Sequence, residues 1–340
     1  MELIELTQRL SGLSGPSGFE QPVCEYVANY LHPFADEVRT DVLGNVAAFK
    51  RCGVPGAKTV LLDAHMDEIG LIVTGTKNGY LTFGTLGGID QRMLPAREVL
   101  VLTDPPLFGV IAALPPHVLT EEERGKAVGA DKLYIDVGLD RESLEKAVPP
   151  GTPVVYASSC EALGEGQLCG KALDDRACAA IIIKTFERLC AKKLNVDVCC
   201  LVSTQEEVGH RGAKVAAWNI RPDQALVVDV THGRTPDAPR AACQCGHGPA
   251  IGIGPNIHRA MATELLALAD ELGIACQREA VPGGNSGTNA EAVQISRAGV
   301  ATALVSLPLK YMHTPVEVVC REDMTACVEL LTAYVERMEV

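Results

Sequence analysis

Two adjacent carboxylates, Glu206 and Glu207, close an apolar run in the stretch LVSTQEEVGHRGA, residues 201–213. Val196, Val198, Leu201 and Val202 before them read as a buried strand, and a glycine turn follows. Side chains alternate faces along a strand, so neighbouring glutamates at its end can do different work, one on a metal and the other on a proton. An isolated Glu-Glu pair is usually just a solvated loop start, so the assignment needs partners. His65 and Asp67 lie two apart, behind the apolar run 59–62, and so project to one side of an extended segment. A metal-bound imidazole normally has its other nitrogen held by a carboxylate or carbonyl. The pair supplies both parts, with His65 as ligand and Asp67 as the orienting group. Asp174 and Asp175 stand where a turn leads into a helical pattern over 171–183. Capping and the helix dipole account for one of them and leave Arg176, which follows, unexplained. Asp229 ends the apolar run 224–230, where an unpaired carboxylate is costly to bury. His313 lies in the loop 308–318.

Three apolar runs thus end in His65, Glu207 and Asp229. Open α/β sheets place ligands outside the carboxyl ends of their strands, so this arrangement is a pattern and not scatter. Around it, Leu3, Leu6 and Leu10 fall at helical spacing, and Val23, Tyr26, Val27, Tyr30 and Leu31 share a second helical face. Residues 38–50 read as a hairpin turning at Leu43-Gly44-Asn45. Helices are expected over 263–272, 290–298 and 323–337, and a strand over 301–307. From 70 to 163 the character changes to short β-like runs (71–73, 80–83, 98–102, 109–112, 133–137) separated by glycine and proline, with an exposed, mobile loop at 115–126. That stretch carries no catalytic constellation and reads as a small β-rich domain inserted into a larger one. The glycine-rich stretch 245–257 lacks the strand-to-helix turn of a nucleotide loop.

The 340 residues are 47% hydrophobic, enough for a sizeable core divided into two domains, or one domain with an insertion. A net charge of −13 with no basic run disfavours nucleic acid and anionic membranes as partners. The first residues include Glu2 and lack the apolar stretch of a signal peptide, and no apolar run is long enough to span a bilayer. The thirteen cysteines form no Cys-x-x-Cys, and Cys243-Gln-Cys245 lacks the second pair of a zinc ribbon. They read as reduced thiols serving as small core residues, and a cytoplasmic location is expected.

His65, Asp174, Glu207, Asp229 and His313, with Glu206 beside them, are two imidazoles and a set of carboxylates suited to a pair of borderline-soft divalent ions. Their order and contexts resemble the M42 family of metallo-aminopeptidases, the glutamyl/leucyl and tetrahedral type, within the clan of co-catalytic two-metal exopeptidases. The stretches that carry the resemblance are LLDAHMDEIG, GKALDDRACA, STQEEVGHRGA, VVDVTHG and SLPLKYMHTPVEV, joined by SGPSGFE near the start and LYIDVGLD. They span nearly the whole chain.

The resemblance implies an α/β fold. A central mixed sheet flanked by helices, phosphorylase/hydrolase-like, would form a catalytic domain from 1–69 and 164–340, and residues 70–163 an inserted β-barrel-like oligomerisation domain. His65 and Asp229 would be terminal ligands, Asp174 would bridge two ions, and Glu207 and His313 would complete the second site. Glu206 would be the general base and Asp67 would orient His65. The implied reaction removes single residues from peptides with a free N-terminus, using zinc or cobalt; manganese also fits the donors. The implied assembly is a homo-oligomer, often a dodecamer of tetrahedral shape. Two departures stand out: Asn289 in Gly287-Thr288-Asn289-Ala290 where the family reads GGTDA, expected near the substrate end of the site, and Lys310 where an arginine is expected. Rival readings are another dimetal amide hydrolase such as a deacylase or carboxypeptidase, a glycosidase with two carboxylates and no metal pair, and a non-catalytic peptide-binding or assembly protein that keeps the fold.

Overall fold

A computed structural model describes residues 1–121, 128–238 and 242–339. The loop expected at 115–126 therefore lies partly outside the described residues. The chain opens with helices Leu3–Gly12 and Gln21–Leu31, then strands β1 (Glu37–Thr40), β2 (Val46–Lys50) and β3 (Thr59–His65). Next come β4 (Gly70–Lys77), β5 (Tyr80–Leu86), β6 (Glu98–Val101), β7 (Leu107–Ala112), β8 (Tyr134–Asp136), the helix Arg141–Ala147 and β9 (Pro153–Tyr156). Strands β10 (Glu161–Leu163), β11 (Gln167–Gly170), β12 (Asp197–Ser203), β13 (Gln224–His232), β14 (Ala250–Ile253), β15 (Gln277–Ala280), β16 (Ala301–Lys310) and β17 (Glu317–Cys320) complete the set among the described residues. Between them lie helices Leu173–Cys190, Arg211–Ile220, Arg259–Leu272, Ala290–Gln294 and Arg321–Glu336.

Eleven strands form a mixed sheet in the order β1-β2-β12-β3-β13-β16-β17-β11-β10, with β14 and β15 branching from β16. Its middle, β12-β3-β13-β16, is parallel. Parallel strands are covered on both faces and so read as continuous apolar runs, which is how 59–62 and 224–230 stand out. The helix Leu173–Cys190 packs on β3 and β13 with the Leu3–Gly12 and Arg321–Glu336 helices over it. Ala177 to Ile183 are all buried, as expected where a helix is covered all round, and the helix reaches solvent only in its last turns, at Arg188.

Strands β4-β5-β8-β7-β6-β9 close a separate barrel. It has its own core, including Leu71, Val73, Leu81, Val99, Ile111, Ile135 and Val154. On β7, Gly109 and Ile111 face in while Phe108 and Val110 face out, the period-two alternation of a small barrel.

Several boundaries differ from the sequence reading. Strand β12 stops at Ser203, and Gln205 turns the chain with φ 54° before the two glutamates. Strand β13 runs past Asp229 to His232, because β16 continues to pair with it as far as Leu309. The short strands β10, β11, β14, β15 and β17 and the Arg141–Ala147 helix gave no periodic signal. That helix is capped by Asp140, whose carboxylate accepts the Ser143 N–H at 3.0 Å.

Candidate metal centre

The carboxyl ends of the central strands open into a cleft of ≈ 450 Å³ lined by His65, Asp174, Glu206, Glu207, Asp229 and His313. His65 ends β3. Its Nδ1 lies 3.1 Å from the Asp67 carbonyl and 3.3 Å from Asp67 Oδ1, so Nε2 is turned to Asp174 Oδ1 at 3.2 Å. His313 sits in the turn after β16 with φ 60°. Its Nδ1 donates to the Gly88 carbonyl at 2.6 Å; a carbonyl only accepts, which leaves Nε2 unprotonated in the neutral ring. That Nε2 is 3.3 Å from Asp174 Oδ2 and 3.4 Å from Glu207 Oε1. Asp174 thus offers one oxygen to each imidazole. Strand β13 pairs Val227 with Asp63 of β3, so Asp229 lies level with His65.

The backbone beneath is fixed by two carboxylates. Asp67 Oδ1 accepts the Glu206 N–H at 2.9 Å, and Oδ2 accepts the Ser17 hydroxyl at 2.6 Å and the Glu207 N–H at 3.2 Å. Glu317 does the same across the cleft, accepting the Asp174 N–H on Oε2 at 3.1 Å and the His313 N–H on Oε1 at 2.9 Å. Asp174 and Asp175 depart from helical geometry at the start of their helix, joined by a cis peptide bond. Neither acts as the expected cap: the Asp174 carboxylate faces the two histidines, and Asp175 Oδ2 accepts the His65 N–H at 3.1 Å. The Arg176 guanidinium donates to the carbonyls of Leu10, Leu13, Gly15 and Met66, tying the N-terminal segment to the end of β3. Gly88, on the connection after β5, approaches so closely that a Cβ there would lie 3.0 Å from His313 Nδ1.

The electrostatics fit cations. Burial pushes Asp175, Asp229 and Glu317 well above the carboxylate range, with repulsion from Asp174 or Asp175 adding to it. Burial also carries Glu207 up to about 7. For Asp174 burial acts upward but is outweighed by hydrogen bonds from His313 and His65, which hold its carboxyl below the usual range. Burial opposes charge on the imidazoles, yet Asp174 together with Asp67 or Glu207 outweighs it; both are raised, His313 to about 11. Asp175 Oδ1 is buried with no hydrogen-bond partner among the described residues, and the groups His65–Asp174–Glu207 and His65–Asp175–Asp229 each bring their donor atoms within 4.8 Å of one another. Imidazole nitrogen and carboxylate oxygen in this proportion suit divalent transition ions.

Sequence reasoning assigns capping to one of Asp174 and Asp175 without choosing between them, and gives Glu317, Ser17 and Gly88 no role. A Gly carbonyl carries no residue-type signal, and Glu317 acts through backbone N–H groups. Asn289 is buried and donates to Ser203 Oγ at 2.9 Å, at the end of β12 beside β3, and is absent from the cleft lining, whereas the neighbouring Gly287 and Thr288 line it. Lys310 donates to Gln167 Oε1 at 3.1 Å.

Residues 44–330 match the family model of the M42 glutamyl aminopeptidases. The lysyl aminopeptidase of Pyrococcus furiosus is 34% identical over 342 residues, covering 98% of this chain and 97% of that protein. An aminopeptidase of the archaeon Desulfurococcus kamchatkensis superposes with a TM-score of 0.91 at 34% identity, over 99% of this chain and 95% of that one. The Pyrococcus horikoshii TET1 peptidase, which can assemble into a tetrahedron or a large octahedral shell, gives 0.88 at 30% identity over 99% of this chain and 100% of that one. Sheet, barrel and these likenesses define a peptidase, a hydrolase of amide bonds. The chain belongs to the M42 family and is an aminopeptidase.

Proposed function

We propose that this aminopeptidase removes single residues from peptides with a free N-terminus, using two divalent ions in the cleft and Glu206 as general base. The observation that carries the reading is the divided Asp174 carboxylate, with Oδ1 at His65 and Oδ2 at His313. His65 and Asp229 would hold one ion, Glu207 and His313 the other, and Asp174 both. Zinc and cobalt suit these donors, as does manganese. The ions, when bound, supply an activated water and polarise the scissile carbonyl.

The chain's own residues do the rest. Asp67 keeps His65 Nε2 facing the cleft and holds the Glu206 N–H. Glu206, buried at the cleft wall, takes a proton from the water and returns it to the leaving amine, a role worth about 10²–10⁴-fold. The surrounding carboxylates attract the substrate's α-ammonium, which confines cleavage to the N-terminus. The barrel strands lie between Gly70 and Tyr156, inside the proposed insertion 70–163 that separates catalytic segments 1–69 and 164–340; β10, Glu161–Leu163, joins the large sheet instead. Phe108 and Val110 of the barrel, with Leu114 and Val118 after β7, are exposed. Such an apolar surface suits contact with a second copy of the chain, as the shell built by the TET1 relative also supports.

The test is hydrolysis of aminoacyl-p-nitroanilides with N-acetylated controls, on chelated protein and after zinc, cobalt or manganese is returned. Cleavage that needs metal and is abolished by N-acetylation is the expected result. Cleavage that persists in chelator, or that tolerates acetylation, overturns the reading.

A further inference from the structure

His210 lines the cleft but has no role in the scheme above. It precedes the Arg211–Ile220 helix with a left-handed backbone, φ 56°. Its Nε2 stands 2.9 Å from Glu206 Oε1. The other oxygen of Glu206, Oε2, is 3.9 Å from His65 Nε2 and so faces the proposed ligands. The two residues are tied through the backbone as well, since the Glu206 carbonyl accepts the N–H groups of Gly209 at 2.8 Å and His210 at 3.0 Å. The terminal torsion of a glutamate is broad and roughly two-fold, so an unheld carboxylate exchanges its oxygens and swings. A ring nitrogen at 2.9 Å, carried on a tight turn, limits that freedom through charge and close contact, although its N–H is not aligned on Oε1 for a full hydrogen bond.

We propose that His210 is a positioning residue for the general base: it holds Glu206 Oε1 and thereby makes Oε2 the oxygen that takes the proton. The proposal rests on the reading of Glu206 as the base. The proton leaves the attacking water for Oε2 and passes from Oε2 to the leaving nitrogen as the amide C–N bond breaks. His210 keeps its Nε2–H throughout and neither gains nor loses a proton.

Three substitutions separate the ring nitrogen from the unusual backbone. Asparagine tolerates the left-handed region well, but its amide is too short to reach Glu206. Glutamine places an amide nitrogen about where Nε2 lies and fits the backbone less well. Leucine offers neither advantage. His210→Asn and His210→Leu are expected to lower kcat about 10-fold, and His210→Gln less than about 3-fold. KM, metal content and the melting temperature of the metal-free protein should stay near the wild-type values. The reverse order, with asparagine active and glutamine impaired, shows that only the backbone matters and overturns the proposal. So does wild-type kcat in all three, or a loss of kcat that follows lost metal. Glu206→Gln is run alongside. If it retains near-normal turnover, the base assignment fails and the proposal with it; if it is inactive while the His210 variants are normal, the positioning role alone is refuted.

Discussion

Two clusters of buried charge lie side by side and are built on opposite principles. In the first, Glu68 is saturated: Oε1 accepts the Gly15 N–H at 3.0 Å and Lys171 Nζ at 2.9 Å, and Oε2 accepts Lys171 Nζ at 2.8 Å. Arg176, fully buried beside it, spends its guanidinium on four backbone carbonyls. In the second, one residue along from Glu68, Asp67 leads into a cleft where Asp174, Asp175, Glu206, Glu207 and Asp229 crowd together. There Asp175 Oδ1 is left without a hydrogen-bond partner among the described residues. The first cluster is complete within the protein and pins the N-terminal segment to the catalytic strands. The second, on the proposed reading, is completed by cations brought from outside. Charge that a fold satisfies itself is costly to break by removing one partner, and charge that it leaves unsatisfied marks a candidate place for a cation.

Substitutions in the two clusters should therefore fail in different ways. Glu206→Gln should lower kcat by about 10²–10⁴-fold while metal content and melting temperature hold; turnover near normal would place the cleft's base elsewhere. Arg176→Met removes one member of the satisfied cluster and should cost about 3–5 kcal/mol in urea unfolding. A loss under about 1 kcal/mol would mean that the contrast between the clusters is false.

The cleft, unlike the satisfied cluster, should also exchange protons for metal. His313 is raised to about 11, so below that pH its imidazole carries a proton that a ligand must give up. Metal binding to chelated protein should release protons, and apparent affinity should rise as pH rises from 6 to 8. Calorimetry in buffers of different ionisation enthalpy reads this directly, and a pH-independent affinity would contradict it. The smallest effect is expected from Asn289→Asp. Burial already pushes the Asp63 carboxyl up to about 7, and a second carboxyl beside it adds like charge. The melting temperature should fall by a few degrees, more at pH 8 than at pH 6; an equal or reversed shift would show that the two side chains do not interact.

Much of the cleft lining was legible in the sequence because its imidazoles and carboxylates are chemically distinctive and stand out against apolar runs. His65 ends its strand, whereas Glu207 follows a turn after Ser203 and Asp229 lies within β13, so the runs marked the central sheet more faithfully than its ends. What could not be read is what acts through backbone or through distance in sequence. Glu317 works by accepting the N–H groups of Asp174 and His313. Gly88 reaches His313 from the chain between β5 and β6. Arg176 looked unexplained because its partners are carbonyls far away in the chain. Strands such as β10 and β17, three and four residues long, are too short to establish a period. Asn289 was expected at the substrate end and lies instead against Ser203, because the turn carrying Thr288 into the cleft points the next side chain the other way.

Metal stoichiometry of the wild-type protein and of Asp174→Asn tests the difference between the clusters most directly. After chelation, dialysis and titration with zinc, the wild type should bind two ions per chain. Asp174→Asn should lose at least one of them together with peptidase activity, and its metal-free melting temperature should remain close to that of the wild type. A wild type that binds fewer than two ions, or an Asp174→Asn variant that still binds both, would contradict the account.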